Sequence, residues 1–468
     1  MLFKYFRYQH KLETQENLYI EKKTAMYTFE SYISPLLTSF RHKSVKQNFV
    51  SLSEQIISKH SIQLWKLSEN KKLYNRYRDM LDGSLVNGID VSKLQISQLA
   101  THKSCFAGRS YVVLVHDGCD IRKPHSKELE CLGWVRDLSG KWVRGYQSMN
   151  SVLVDMKSKE VNLLRCTPYS SAEANFVSQE DLKKYETGQL KDIVRREQIE
   201  RLLSENLAIN GKKILKEHIT ALHEAIRAEN QQAMIIHVLD RYHDDNELFE
   251  FITNLGDYFV IRLKKNHKED SGESSLSVAD FAQSVKQTYS RLTHLDKAYT
   301  DITADYSWAE WQAYNVVRVT LYQKNGQRLF KEPMLLVTNL EIPSFLMAFL
   351  VFEIYLHRWK IESVFRFLKQ TLGWEEFLIQ DWESIRNLIA LAFFIGGYFY
   401  QLKDQLTEDK TLVWLAELGG GKGKVTRGYI LEGIAQVMKM QQTQDFLLKN
   451  NISEKEIQNV RKRFSILK

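Results

Sequence analysis

The sequence has few prolines, few cysteines and no cysteine pair at metal-binding spacing. Its 468 residues include five prolines and no low-complexity tract, which argues against long disordered linkers. The four cysteines are Cys105, Cys119, Cys131 and Cys166, and none forms a CxxC pair, so neither a zinc site nor a redox dithiol is indicated. Because disulfide-rich proteins belong to oxidising compartments, four thiols in a chain this long fit a reducing cytosol.

The sequence also has no signal-peptide pattern and no apolar run of bilayer length. Its first residues, MLFKYFRYQHKLETQEN, are polar and charged throughout. The apolar runs at 342–350 and 388–400 are too short for a membrane span, and we expect them to be buried helices. Lys and Arg exceed Asp and Glu by 65 to 57, a net charge of +8, which is compatible with nucleic acid without demonstrating it.

Two apolar, β-branched runs each lead to an aspartate. YVVLVHD ends at Asp117 and MIIHVLD ends at Asp240, a pattern typical of central strands that deliver an acid at their end. A strand-terminal aspartate is also a common cap or turn former, so the pattern alone leaves that role open. Asp120 is a rival for the first acid, although the predicted end of the strand favours Asp117.

The stretches around these acids predict alternating strands and helices. KWVRGYQSMNSVLVD and VNLLRCTPYS are predicted to be strands joined by a turn near 157–159. Helices are expected at 179–206 and 210–230, before the run that ends at Asp240, and a further strand at YFVIRLKKN. Residues 1 to about 100 are predicted to be helical, with a basic cluster at 71–78, and they show no helix-turn-helix pattern.

The stretch YLHRWKIESVFRFLKQTL, at 355–372, predicts one amphipathic helix with two stripes. Four polar positions fall within an arc of roughly 60° on a helix, namely Tyr355, Arg358, Glu362 and Lys369. Ile361, Phe365, Leu368 and Leu372 form a separate apolar stripe that would face a core. A carboxylate flanked by cations suits a metal ion that meets phosphate. An ordinary surface helix with an Arg358–Glu362 salt bridge would show the same pattern.

The pattern Y-x2-R-x3-E-x6-K of this stretch resembles the signature of DDE transposases from bacterial insertion sequences, in insertion sequence family four. HDGCDIRKP around Asp117 resembles the first-aspartate motif of that family, and DRYHD at Asp240 matches its D-R-x-x-D motif. In the second motif Arg241 and Asp244 are the expected supporting residues. The resemblance covers residues 105–400 by motif, and the two ends of the chain only by position.

The resemblance implies an α/β fold with a ribonuclease H-like catalytic core, a mixed sheet flanked by helices. We expect a helical domain at 1–105 that binds DNA ends and a core divided between 106–266 and 341–405. A β-rich insertion subdomain is expected at 267–340, with a hairpin turn at Asn325–Gly326. A helical region for DNA contact or dimerisation is expected at 406–468. Its Gly-Lys segment GGGKGKVTRGYI is not a P-loop, because the required spacing is absent.

Some relatives that cut DNA through a hairpin place a flipped base on a tryptophan before the M-L-L strand. The matching place in this sequence holds Pro333, so the sequence departs from the pattern there. Trp308 and Trp311 are candidate substitutes, and a core role is the alternative for each.

The resemblance further implies a cut-and-paste transposase that uses two metal ions. Asp117, Asp240 and Glu362 would be the catalytic metal ligands, and their oxygen atoms favour Mg²⁺, with Mn²⁺ as a substitute. Tyr355, Arg358, Lys369 and Arg241 would contact DNA. The implied partners are double-stranded DNA, as terminal inverted repeats and as target, and a second copy of the chain in a synaptic complex. The expected location is the bacterial cytoplasm, in association with the nucleoid. A ribonuclease H-like nuclease without strand transfer and a domesticated DNA-binding protein remain alternatives.

Overall fold

A computed structural model describes residues 29–83, 88–264, 288–293, 302–311, 313–402 and 410–450 of the chain. These residues form one mixed sheet of ten strands with helices packed on it. The predicted α/β class is confirmed, and the arrangement is compatible with a ribonuclease H-like core.

The strands are numbered in chain order. They are β1 Tyr111–Arg122, β2 Gly133–Arg136, β3 Trp142–Val154, β4 Val161–Tyr169, β5 Met234–Leu239, β6 Tyr258–Arg262, β7 Tyr289–Thr293, β8 Ile302–Trp311, β9 Tyr314–Tyr322 and β10 Met334–Thr338. The strands predicted from apolar, β-branched runs before position 265 are confirmed as β1, β3, β4, β5 and β6.

The helices are numbered in the same way. In the first half of the chain they are α1 Phe29–Ser39, α2 Lys43–Lys59, α3 Leu64–Leu67, α4 Lys71–Leu81, α5 Val91–His102, α6 Gln179–Glu186, α7 Ile193–Ser204 and α8 Gly211–Glu229. The later ones are α9 Asn246–Asn254, α10 Phe345–Leu356, α11 Trp359–Thr371, α12 Trp382–Gln401, α13 Lys410–Leu418 and α14 Arg427–Lys449. Single 3₁₀ turns occupy Lys103–Cys105 and Arg241–His243.

Strand β1 lies inside the sheet because its apolar run can be buried on both faces. The strand order is β2-β3-β1-β5-β6-β10-β9-β8-β7, and β4 also pairs with β3. β1 is antiparallel to β3 and parallel to β5, and β5 is parallel to β6. Helix α8 provides the crossover that a parallel β1–β5 pair requires. The carboxyl ends of β5 and β6 therefore lie at the same edge of the sheet.

The predicted β-rich segment at 267–340 continues this sheet. β10 pairs with β6 on one side and with β9 on the other, and β8 and β7 follow. The strands that the structure describes in this segment are thus part of the core sheet. Gly326 has φ 77°, and Gln323 N and Leu329 N donate to Gln327 O and Leu321 O, so the predicted turn closes a short hairpin.

The helical prediction for the first hundred residues is confirmed from Phe29 onward, while residues 1–28 lie outside the described part of the chain. These helices pack on the core. The Tyr32 hydroxyl donates to Phe394 O at 2.7 Å, and Gln98 Nε2 donates to Leu163 O at 2.7 Å. In the basic cluster of α4, Lys71, Lys72 and Arg76 are exposed. Binding of DNA ends by this region stays a prediction.

The single helix predicted over 355–372 is wrong, because the chain turns between α10 and α11. His357 N donates to Ile354 O, and Arg358 N donates to Tyr355 O, so the ladder tightens to i→i−3 bonds. The His357 ring also contacts Glu353 O through Nδ1 at 2.8 Å, which occupies a carbonyl of the preceding turn. Tyr355 consequently belongs to α10, whereas Glu362 and Lys369 belong to α11.

The apolar run at 388–400 lies in α12 and is buried throughout, as expected. The run at 342–350 leads into α10 and is only partly buried, since Leu346 is 45% exposed. None of the described helices is long and apolar enough to cross a membrane. After α12, α13 and α14 pack against one another so closely that a Cβ on Gly433 would lie 1.9 Å from Leu415 O. The Gly-Lys segment joins these two helices, and its Lys422 and Lys424 are exposed. Residues 451–468 lie outside the described part.

Candidate active site

The register of two parallel strands brings Asp117 and Asp240 to the same level. Val115 pairs with Val238, and two further residues along each chain are Asp117 and Asp240. Asp240 follows β5 directly, as predicted. The prediction that β1 also ends at its aspartate is wrong: β1 continues to Arg122, because Asp120 and Arg122 pair with Gln147 and Gly145 of β3. Asp117 thus lies where its other neighbour, β5, has stopped.

The two aspartates and one histidine form a compact cluster. Ligand atoms of Asp117, Asp240 and His243 all lie within 4.8 Å of one another. Asp240 also caps the 3₁₀ turn that follows it, since its Oδ1 accepts from Tyr242 N at 2.8 Å. That turn carries the buried His243 back toward the two carboxylates. Asp240 therefore performs the common capping role and faces a second acid as well.

Arg358 joins the third acid to this cluster. Its Nη1 donates to Asp117 Oδ2 at 3.1 Å, and its Nη2 donates to Glu362 Oε1 at 2.6 Å. The Arg358 side chain is 12% exposed and that of Glu362 is 50% exposed. The guanidinium therefore bridges Asp117, whose side chain is 18% exposed, and the solvent-facing Glu362. Arg358 Nε is buried and has no hydrogen-bond partner within the described part of the chain.

Burial and like charge shift the protonation of this cluster. Burial first and the Asp240 carboxylate second raise the pKa of Asp117 from 3.8 to about 7, against the opposing pull of Arg358. Burial lowers the pKa of His243 from 6.5 to about 4, although Asp240 favours its charged form. In the folded chain without a bound cation, Asp117 is thus easily protonated at neutral pH and His243 is neutral.

Lys369 and the Asp120 side chain make the hydrogen bonds that fix β1 after Asp117. Lys369 Nζ donates to the backbone carbonyl of Asp120 at 2.5 Å and lies 3.0 Å from Glu375 Oε1. The Asp120 carboxylate accepts from Arg136 N at 3.2 Å and from Gln147 Nε2 at 3.4 Å. Asp120 is therefore engaged with β2 and β3, and it is absent from the cluster formed by Asp117.

The remaining predicted DNA-contacting residues differ in exposure. Tyr355 is 2% exposed, and burial raises the pKa of its hydroxyl while a hydrogen bond with Arg262 lowers it. Arg241 is exposed. Asp244, the other supporting residue of the second motif, accepts from Lys264 N at 2.8 Å and so fixes the chain after β6.

The segment that carries most of this geometry matches a known family. Residues 215–395 match the Transposase DDE domain family. The match supports a DDE transposase, an enzyme class that cleaves DNA. Asp240, Arg358, Glu362 and Lys369 lie within the matched segment, whereas Asp117 precedes it and joins it through the sheet. No curated protein matches the chain.

The ligand atoms of the acid cluster fit a hard divalent cation. DDE transposases generally depend on divalent metals, and Asp117 and Asp240 offer carboxylate oxygens close together. Burial is the largest cause of the raised pKa of Asp117 and the Asp240 carboxylate is the second, and a cation between the two acids would relieve the repulsion between them. His243 adds a nitrogen to this set of ligand atoms.

The apolar stripe predicted on helix α11 is largely confirmed. Ile361, Leu368 and Leu372 are fully buried, while Phe365 is half-buried and stacks on Trp374 with ring centroids 6.5 Å apart. Val364 and Phe367 are also buried, which widens the stripe beyond the predicted positions. The buried face and the face that carries Glu362 are therefore distinct.

The tryptophans proposed to replace the flipping residue lie within packed strands. Trp311 is 5% exposed and belongs to a hydrophobic cluster, and Trp308 is half-buried with its ring 5.4 Å from that of Tyr289. Pro333 directly precedes β10. These positions agree with the core role that was the alternative for both tryptophans, and base flipping by them stays a prediction.

Sequence reasoning missed three residues that the fold brings to the site: His243, Arg262 and Glu375. His243 stands in DRYHD, but a lone histidine there is no sign of a ligand until the 3₁₀ turn is known. Arg262 is the last residue of β6. Because Ile261 pairs with Leu239, Arg262 lies beside Asp240, and this position could have indicated that Arg262 belongs to the site. Glu375 accepts from Arg122 and pairs with Lys369, contacts that depend on the path of the chain after α11.

Proposed function

We propose that the chain is a DNA transposase that moves an insertion sequence by cut-and-paste. It would cleave DNA at terminal inverted repeats and join the freed ends to target DNA. The observation that carries the proposal is the meeting of Asp117 and Asp240 on adjacent parallel strands, with Glu362 held to Asp117 through Arg358. The match of residues 215–395 to a transposase domain supports the same interpretation.

In this proposal Asp117, Asp240 and Glu362 hold two Mg²⁺ ions, for which Mn²⁺ substitutes. Bound ions supply activation of the attacking hydroxyl or water and charge stabilisation of the leaving 3′-oxygen. Because the pKa of the partly buried Asp117 is raised, its carboxyl would have to lose a proton in order to hold a cation. His243 lies beside the two acids, and its neutral ring offers a nitrogen as a further metal ligand.

The cations around the acids serve DNA. Arg358 positions Asp117 and Glu362 through two of its nitrogens. Lys369, on α11, contacts the Asp120 carbonyl of β1, and Arg241 is exposed at the carboxyl end of β5. Tyr355 is buried, so we assign it the positioning of Arg262 rather than a direct contact with phosphate.

The test is cleavage and strand transfer on DNA that carries the ends of the flanking element. Asp117→Ala, Asp240→Ala and Glu362→Ala are each expected to abolish cleavage in Mg²⁺ while end binding is kept, because a lost ligand removes transition-state stabilisation without touching distant DNA contacts. Glu250→Ala, which removes an exposed carboxylate on α9, is the matched control and should cleave normally.

Near-normal cleavage by any of the three variants would remove that residue from the site. If Asp117→Ala cleaves and Asp120→Ala does not, Asp120 is the first acid. Cleavage without strand transfer would identify a nuclease, and DNA binding without cleavage would identify a DNA-binding protein. Sedimentation with two DNA ends tests the proposed synaptic dimer, which requires two chains per complex.

A further inference from the structure

Tryptophan and arginine side chains alternate on the exposed face of the β2–β3 hairpin. We call this patch the hairpin grid, and its members are Trp134, Arg136, Trp142 and Arg144. In the register, Trp134 lies opposite Arg144 and Arg136 lies opposite Trp142. The Arg144 guanidinium is 4.6 Å from the ring centroid of Trp134, and that of Arg136 is 4.8 Å from the ring centroid of Trp142.

Both tryptophans remain largely in solvent in spite of these contacts. Trp134 is 52% exposed and Trp142 is 61% exposed. Tryptophan is highly buried on average, so two such exposed rings on one face of a short hairpin indicate a binding surface. The flat faces and the adjacent cations are the two features of a surface that stacks bases and holds their phosphates.

The hairpin grid opens onto a cleft that reaches the acid cluster. The cleft has a volume of about 640 Å³, and its lining includes Trp134, Trp142, Tyr242 and His243. His243 is a member of the cluster with Asp117 and Asp240, and Tyr242 is 77% exposed. Three exposed aromatic rings and one member of the acid cluster therefore line the same cleft.

The hairpin is fixed to the strand that carries the first acid. Arg136 N donates to Asp120 Oδ2, and a Cβ on Gly145 would lie 2.5 Å from Ile121 O, so the two backbones are in close contact. This attachment orders the grid before any ligand arrives, which reduces the entropy cost of binding.

The chemistry of the cleft distinguishes unpaired from paired DNA. A base pair inside a duplex shows its edges but not its faces, whereas an unpaired base can stack on an indole ring. Among the acidic side chains that line the cleft, Asp245 lies 2.7 Å from Lys212, and Glu180 lies 2.5 Å from Lys184. Arg136 and Arg144 add positive charge over the rings of Trp142 and Trp134, which belong to the same lining.

We propose that the hairpin grid binds the unpaired nucleotides of a DNA strand beside the cleaved phosphate. Bases stack on Trp134 and Trp142, and the phosphates between them contact Arg136 and Arg144. The location of the strand rests on the proposed function, but the binding of unpaired DNA itself requires no cleavage.

The test measures binding of the full chain in EDTA to a fluorescent oligothymidylate of about 16 nucleotides, the upper size of many single-strand sites. An abasic strand and a duplex of equal length are the comparison probes. Trp134→Ala and Trp142→Ala are each expected to lower the affinity for oligothymidylate about 5- to 150-fold, equivalent to about 1–3 kcal/mol. Trp142→Phe should keep most of the affinity, because it retains an aromatic face.

Trp65→Ala is the matched control. Trp65 is 56% exposed and has Lys66 Nζ at 5.7 Å from its ring, but it lies on α3, away from the lining of the cleft. This control should bind as the wild type does. Thermal melts establish that each variant is folded.

Three results would overturn the proposal: equal binding of the abasic strand, an equal loss in Trp65→Ala, or wild-type binding by both grid variants. Loss of self-association in the grid variants with unchanged DNA binding would reassign the patch to a protein interface. If oligothymidylate binds through the grid in a chain that never cleaves DNA, the grid proposal stands and the transposase proposal falls. If grid variants cleave normally and also bind oligothymidylate normally, the grid proposal falls and the transposase proposal stands.

Discussion

At the scale of single residues, the protonation of Asp117 links the site to stability. Its pKa is raised to about 7 in the folded chain, against 3.8 ordinarily, so between these values the folded state binds more protons than the unfolded state. Stability contributed by this group is therefore lost as pH rises through that window. The shift corresponds to an upper limit of about 4 kcal/mol at about 1.4 kcal/mol per pKa unit.

We expect Asp117→Asn to melt at a higher temperature than the wild type in EDTA at about pH 8, and the difference to shrink at about pH 5. Addition of Mg²⁺ or Mn²⁺ should raise the melting temperature of the wild type more than that of the variant, because the ion binds the ionised acid. A variant that melts below the wild type at both pH values would contradict the raised pKa of Asp117.

The buried histidines make stability depend on pH in the opposite direction from Asp117. Burial lowers the pKa of His102, His116, His218 and His243, so their unfolded forms take up protons first as pH falls below 6.5. They contribute stability above that value and lose it as pH falls, and for His102 and His243 the loss extends to about pH 4. Carboxylates whose pKa is lowered in the folded chain, such as Asp257 and Glu375, add to the loss of stability on the acid side.

At the scale of elements, the two faces of helix α11 have different roles. Its buried face contributes to the stability of the fold, and its other face carries residues proposed to act in DNA cleavage. Ile361→Ala is expected to destabilise the chain by about 2–5 kcal/mol, because a fully buried side chain is truncated. Arg358→Ala and Lys369→Ala should lose cleavage of DNA ends with a smaller effect on melting. Melting curves recorded beside cleavage assays distinguish the two effects. The two-face interpretation fails if the cation variants cleave normally or melt as early as Ile361→Ala.

Elements with strong local patterns could be predicted from the sequence. β1, β3, β5 and α8 follow from apolar runs and helical periodicity, which are local properties. β2 could not be predicted in this way, because it has only four residues and depends on pairing with β3. The break before α11 depends on the contact between the His357 ring and Glu353 O, which no periodicity reveals.

The same distinction between local patterns and long-range contacts applies to the candidate site. The sequence placed Asp240 at the end of a strand and selected Asp117, Glu362 and Arg358 by resemblance. Their distances required the β1–β5 register and the turn at Arg358, since both depend on residues remote in sequence. His243 was missed because its approach to the acids depends on one 3₁₀ turn.

At the scale of the whole molecule, the net charge of +8 favours contact with a polyanion. We expect the affinity for element ends to fall steeply as salt concentration rises, because each phosphate contact made by Lys or Arg releases counterions. Fluorescence anisotropy across a salt series measures the slope. Lys71→Ala, on the exposed basic cluster of α4, should reduce the slope if that cluster contacts DNA. A flat response of the wild type would point away from nucleic acid.

The pairing of β10 with β6 has a consequence for synthesis of the protein. These strands are 72 positions apart, from Arg262 to Met334, yet they are neighbours in the sheet. At about 5–20 residues per second, the edge of β6 remains open on the ribosome for roughly 4–14 s before its partner emerges. An open edge of this kind invites pairing with other chains. A fragment that ends at Lys264 should therefore aggregate, which light scattering would detect, so we expect a chain cut short between β6 and β10 to be insoluble.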